Sequence, residues 1–151
     1  MIESVLHAAV RKWVSEEHLR NILQGKWAPM YDSDGNLLKG IRGRIGAVGP
    51  SMDGLEVGVD LIEMQPGTAF PLHVHEGDHV LYIESGAGAV HIDGKDRPVK
   101  KGDTIFIAAE YSHGVQGPKK NAKEPLVIVA FGHPHKHVEA KDRMRHPHRH
   151  G

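Results

Sequence analysis

The sequence predicts an all-β fold, a barrel or two-sheet jelly roll, with a helical segment in front of it. From Leu55 onward the chain reads as short, alternating apolar and polar runs broken by glycine turns, at the roughly 8–12-residue spacing of sandwiches and barrels. No helical periodicity interrupts those runs. A length of 151 residues fits one domain large enough to bury a core.

Residues 1–25 form the helical segment of this reading. Ile2, Val5, Leu6, Ala9, Val10 and Trp13 recur at helix spacing, Ser15 with two acids behind it resembles a second N-cap, and Leu19, Ile22 and Leu23 lead to Gly25 as a stop. Such an amphipathic face is expected to pack on the outside of the barrel, Trp13 included; a dimerisation arm or a lid over the barrel mouth is the other reading. Residues 26–54 are rich in turn signals, from Ala28-Pro29 to Asp53-Gly54, with short strands expected at Leu37–Lys39 and Arg44–Val48. Asp32 to Asn36 has the opening DxDxN of a calcium loop but lacks the glycine and closing glutamate that such a loop requires, so a hairpin loop is expected. Arg42 and Arg44 are candidates for pairing with a substrate carboxylate.

The strand series then runs Leu55–Met64, Phe70–His75, His79–Glu84, Ala89–Ile92, Arg97–Lys100, Thr104–Ala108, His113–Gln116 and Leu126–Phe131, with Asp93-Gly94 as a hairpin turn. The barrel is placed at residues 26–132. Residues 133–151 are a histidine-rich, basic tail, read as a solvated terminus whose histidines could also gather metal.

Charge narrows the function classes. Nineteen basic and nineteen acidic residues cancel, so no field points to nucleic acid or to a membrane surface; a small molecule or a second copy of the chain is the expected partner. The absence of cysteine removes disulfides, thiolate ligands and a thiol nucleophile. VLHAAV is broken by His7 and followed by Arg11-Lys12, and no 18-residue apolar run occurs, so a soluble, cytoplasmic protein is expected.

The outlying number is 13 histidines. His73 and His75 lie two apart in an alternating run, which points both to one face of a strand at roughly 6.6–7 Å, close enough to share an ion. Glu76-Gly77-Asp78 is turn chemistry, so His79 is expected to open the next strand beside them, and His113 to close the site from across the barrel. Glu110 and Tyr111, just before His113, are the nearest candidates for an acid or base.

These residues carry a resemblance. Gly67, His73-Val74-His75, position 79 and Gly86 resemble the first motif of the cupin superfamily, with His79 where that motif ordinarily has Glu. Gly102, Ala108, Ala109-Glu110 and His113 resemble the second, with Ala108, Glu110 and Gly117 where Pro, Gly and Asn are usual. The resemblance spans roughly residues 55 to 132. It implies a jelly-roll barrel of the conserved-barrel type, metal ligation and a homodimer.

The expected site is therefore one divalent transition metal on His73, His75, His79 and His113. Four neutral imidazoles leave the ion its full charge, favour an anionic ligand and favour ferrous over ferric iron; Zn, Ni, Mn and Cu are the other candidates. The leading expectation is an oxygenase acting on a small carbonyl, dicarbonyl or carboxylate compound. A non-oxidative isomerase, cyclase, lyase or decarboxylase using the metal as a Lewis acid is the second reading, and a non-catalytic binding module the third.

Overall fold

The structure, a computed structural model, describes residues 11–147. Its strands are β1 (Ala28–Tyr31), β2 (Leu37–Pro50), β3 (Glu56–Met64), β4 (Ala69–His73), β5 (Asp78–Ser85), β6 (Ala87–Ile92), β7 (Lys95–Lys100), β8 (Thr104–Ile107), β9 (His113–Gln116) and β10 (Leu126–His133). They form two antiparallel sheets, β1-β2-β3-β10-β5-β8 and β4-β9-β6-β7. The expected all-β barrel is what the chain adopts.

The period-2 pattern explains which face is inside. In β5, His79, Leu81 and Ile83 are buried while Val80, Tyr82 and Glu84 are exposed, and β10 buries Leu126, Ile128 and Ala130 in the same way. Phe70, Val90, Val99 and Val115 answer from the smaller sheet, so one core fills the gap between the layers. Burying each such side chain is worth about 1.5–3 kcal/mol, and a one-residue slip would turn the whole set outward. The Asp93-Gly94 turn has positive φ at both residues, 54° and 73°, as the tight β6–β7 hairpin requires.

Three expectations are corrected. First, the two short strands expected between residues 37 and 48 are one strand of 14 residues, with a register shift between Ile45 and Val48. Its glycines are clearances as much as turns: a Cβ at Gly43 would come 3.0 Å from Val138, and one at Gly46 would come 2.8 Å from Val59 and 3.0 Å from Ile22. Second, the helical segment contracts, within the described residues, to α1 (Ser15–His18) and a 3-10 turn at Ile22–Gln24. Val14 offers no side-chain cap, and a four-residue helix has too few hydrogen bonds to sustain itself. Trp13, Leu19 and Leu23 are exposed, and the segment is held instead through Ile22 on Gly46 and an Arg20 bond to the Gly46 carbonyl at 3.2 Å. The apolar positions from Ile2 to Val10 lie outside the described residues.

Third, the described part of the C-terminal tail is docked on the barrel rather than a free solvated terminus. After a cis His133–Pro134 bond the chain turns back across the barrel, burying His135, Val138, Arg143 and Met144. Val138 lies against Gly43, and Arg145 pairs with Val74 through two backbone hydrogen bonds of 2.9 Å. His148 and His150 lie outside the described residues. Among those described, no helix is long and apolar enough to cross a membrane.

Candidate metal centre

His73 ends β4 and His113 begins β9, and the two are direct cross-strand partners. His75 follows two residues after His73. The three offer ligand atoms that all lie within 4.8 Å of one another, and all three residues are buried. Their ring centroids are 4.3 Å apart for His73–His113, 4.7 Å for His75–His113 and 5.6 Å for His73–His75.

One ring nitrogen of each is committed to the backbone. Nδ1 of His73 donates to the Pro71 carbonyl at 2.6 Å, that of His75 to Gly77 at 3.1 Å, and that of His113 to Tyr111 at 2.9 Å. With the proton held on Nδ1, each Nε2 keeps its lone pair, and the backbone carbonyls play the orienting part that outer partners play in metal sites. The electrostatics agree. Burial, followed by the neighbouring His113 charge, lowers the His73 pKa to about 3, and the same two causes lower that of His75 to about 4. Burial also pushes down His113 and, farther, His79. Four neutral imidazoles facing one cavity are a nitrogen donor set, and three of them fit a divalent transition ion.

His79 reaches the site from the opposite sheet, not from a strand paired with β4. The Glu76–Asp78 link crosses between layers; Gly77 passes so close to the Pro134 carbonyl oxygen that a Cβ would meet it at 2.4 Å. The His79 ring stacks on His75 at 3.9 Å, nearly parallel at 15°, and stands outside the cluster of three. His113, expected from across the barrel, is instead the lateral neighbour of His73.

The other candidates fall elsewhere. Glu110 has φ 63° and pairs with Arg145, and the Tyr111 hydroxyl donates to Asp93; both face a separate cleft with Leu72 and His91 rather than the histidine cavity. The positive φ at Glu110 turns both side chains away before the strand begins at His113. Arg42 and Arg44 lie on the outer surface over the Trp27 ring, at 3.8 and 3.9 Å, and Arg42 pairs with Glu63 at 2.9 Å. Asp32 Oδ1 accepts from the backbone N–H groups of Asp34 and Asn36, which makes the 32–36 stretch a hairpin loop.

The cavity itself measures about 30 Å³, room for roughly two or three waters. Its apolar wall is Ile62, Phe70, Leu81, Val115, Ile128 and Ala130; its polar residues are the four histidines and Arg143. Leu81 was legible as inward-facing from its phase with His79. Arg143 was not, and neither was the pair behind it. Asp60, 1% exposed on the inner face of β3, accepts from His135 Nε2 at 2.9 and 3.0 Å and from Arg143 at 3.5 Å, while His135 Nδ1 donates to Glu56 at 2.7 Å. Burial alone would lower the His135 pKa; the Asp60 and Glu56 carboxylates outweigh it and the net shift is upward. A signal was present: the run Gly58, Asp60, Ile62, Met64 shares one strand phase, so Asp60 had to be buried and paired.

A family model described as a cupin domain matches residues 60–132. The barrel belongs to the cupin superfamily. Among curated proteins, an oxalate-binding protein of Thermotoga maritima is similar to this cupin, 35% identical over 69 residues. Those residues are 45% of this chain, and the match spans 57% of the relative's length. Among solved structures, KdgF from Halomonas sp. aligns with TM-score 0.60 and 22% identity, over 79% of this chain and 94% of that one. The polyketide cyclase RemF from Streptomyces resistomycificus aligns with TM-score 0.59 and 17% identity, over 82% and 79%. At these identities the two structures speak for the cupin fold.

Proposed function

We propose that this cupin is a metal-dependent enzyme acting on a small carbonyl, dicarbonyl or carboxylate compound, with ferrous iron as its ion and oxygenase chemistry as its reaction. His73, His75 and His113 hold the ion and His79 is the neighbouring fourth imidazole. The observation that carries the reading is the set of three Nδ1–carbonyl bonds, which leaves Nε2 free on three buried imidazoles whose ligand atoms lie within 4.8 Å of one another. A divalent ion bound there supplies a Lewis-acidic centre and, as iron, the capacity to react with dioxygen.

The chain's own residues do the rest. Neutral imidazoles leave the ion's charge uncancelled, so an anionic oxygen of the substrate is drawn to it. Ile62, Phe70 and Leu81 exclude bulk water, which strengthens that attraction. The small cavity restricts the compound to one of few heavy atoms.

A second reading, a non-catalytic binding module, is favoured by one observation: neither Glu110 nor Tyr111 lines the cavity. The name of the oxalate-binding relative points the same way. The test strips the protein of metal, reloads it with Fe(II) or Zn(II), and follows small dicarbonyl and carboxylate compounds in air and under nitrogen. Stoichiometric oxygen loss with iron supports the oxygenase. Turnover under nitrogen with zinc removes the oxygenase in favour of Lewis-acid chemistry, and binding without turnover leaves the binding module.

A further inference from the structure

The C-terminal strap, residues 134–147, carries one cation into the cavity. Arg143 is 8% exposed and lines the same space as the four histidines. Its position is set from both sides. Val138 and Met144 are buried in the barrel core, and Arg145, two residues on, pairs with Val74, the residue between His73 and His75. The strap is thus registered on the ligand-bearing segment itself.

The guanidinium is only partly used by the protein. Among the described residues its one acceptor is Asp60 Oδ2, at 3.5 Å. That is long for a charge-assisted bond, which closes to about 2.7–2.9 Å, and Asp60 is engaged more closely by His135. Five donors in a planar fork are suited to a carboxylate taken through two bonds. The placement is also costly as pure structure: Arg143 lines the same small cavity as the three ligand histidines, and a divalent ion on them would be repelled by its charge. An anion lying between the two cations removes the conflict.

We propose that Arg143 is a specificity-determining residue: its guanidinium takes a carboxylate of the bound compound, across the cavity from the imidazoles, and restricts the site to small carboxylates. The inference rests on the metal-binding reading above and names the substrate class for that site. Asp60, with His135 behind it, holds the guanidinium at the cavity wall without occupying its fork.

The test uses zinc-loaded full-length protein, with oxalate as the anionic probe and oxamide as its neutral counterpart, in calorimetric titrations of wild type, Arg143→Met and Arg143→Lys. Zinc is quantified before and after each titration. Arg143→Met is expected to keep its zinc, to lose roughly 10- to 100-fold in oxalate affinity and to leave oxamide within about threefold. Arg143→Lys, which keeps charge but not the fork, should fall between and serves if the methionine variant does not fold. Oxalate binding unchanged in the variants, or oxalate and oxamide weakened alike, overturns the proposal. So does a wild type that holds zinc but binds no oxalate. A wild type that holds no metal overturns the metal reading, and this proposal with it.

Discussion

Replacing Asp60 with asparagine keeps the volume of a 1%-exposed side chain and removes only its charge. Two buried partners lose by it: the Arg143 guanidinium keeps no carboxylate among the described residues, and His135 keeps only Glu56. Removing one member of a buried charged set typically costs about 3–5 kcal/mol, because the remaining charge is left uncompensated. That is a large fraction of the roughly 5–15 kcal/mol that holds a domain folded. The loss should also depend on pH. The folded His135 pKa is raised, so the stability its ion pairs contribute is fully present below the ordinary histidine value near 6.5 and is lost as pH rises through the folded value. The gap between wild type and Asp60→Asn is therefore larger at pH 6 than at pH 8.5. The four site histidines are present in both proteins, so their own titration largely cancels in the gap. Urea unfolding of metal-free protein at the two pH values measures it. A gap below about 1 kcal/mol at both, or one that widens toward pH 8.5, would show that Asp60 does not compensate these buried charges.

Other outcomes follow from the same geometry. Val138→Ala removes two buried carbons at about 0.8 kcal/mol each and leaves a cavity, so urea unfolding should show a loss of about 2–3 kcal/mol; a change within 0.5 kcal/mol, about what a surface substitution gives, would mean the strap is not docked. Because the His73 and His75 pKa values are lowered to about 3 and 4, with His113 lowered too, protons should compete weakly for the ligands. Metal affinity should change less than about tenfold between pH 7 and 5.5, where three ordinary histidines would lose on the order of a thousandfold; a chelator competition series decides. His79→Ala should keep one equivalent of metal with affinity lowered about 10- to 100-fold, the size of an outer-partner effect. Complete loss of the ion in that variant would make His79 a full ligand.

The sequence made the barrel legible because alternation and glycine punctuation act locally. His79, Leu81 and Ile83 share a phase that needs no knowledge of the partner strand, and Asp93-Gly94 specifies its own turn. The ligand histidines were legible for the same reason, as residues two apart on one strand. Sheet membership was not. Whether Glu76–Asp78 makes a hairpin or crosses between layers depends on contacts with Pro134, nearly 60 residues away in sequence. Gly43 and Gly46 read as turn signals, yet they clear space for Val138 and Ile22, which only the tertiary arrangement shows. The tail misled through its composition: two apolar residues, Val138 and Met144, among many charges help dock it together with the Arg145–Val74 backbone pair and the buried His135, and docking brings Arg143 to the cavity.

A metal ion on His73, His75 and His113 underlies the proposed activity. Element analysis of tag-free protein tests it most directly, comparing wild type, His113→Ala, and a variant with His137, His146, His148 and His150 all replaced by alanine. One equivalent of a divalent transition metal is expected in wild type and in the tail variant, and none in a folded His113→Ala. Metal that survives His113→Ala, or that disappears with the tail histidines, would contradict it.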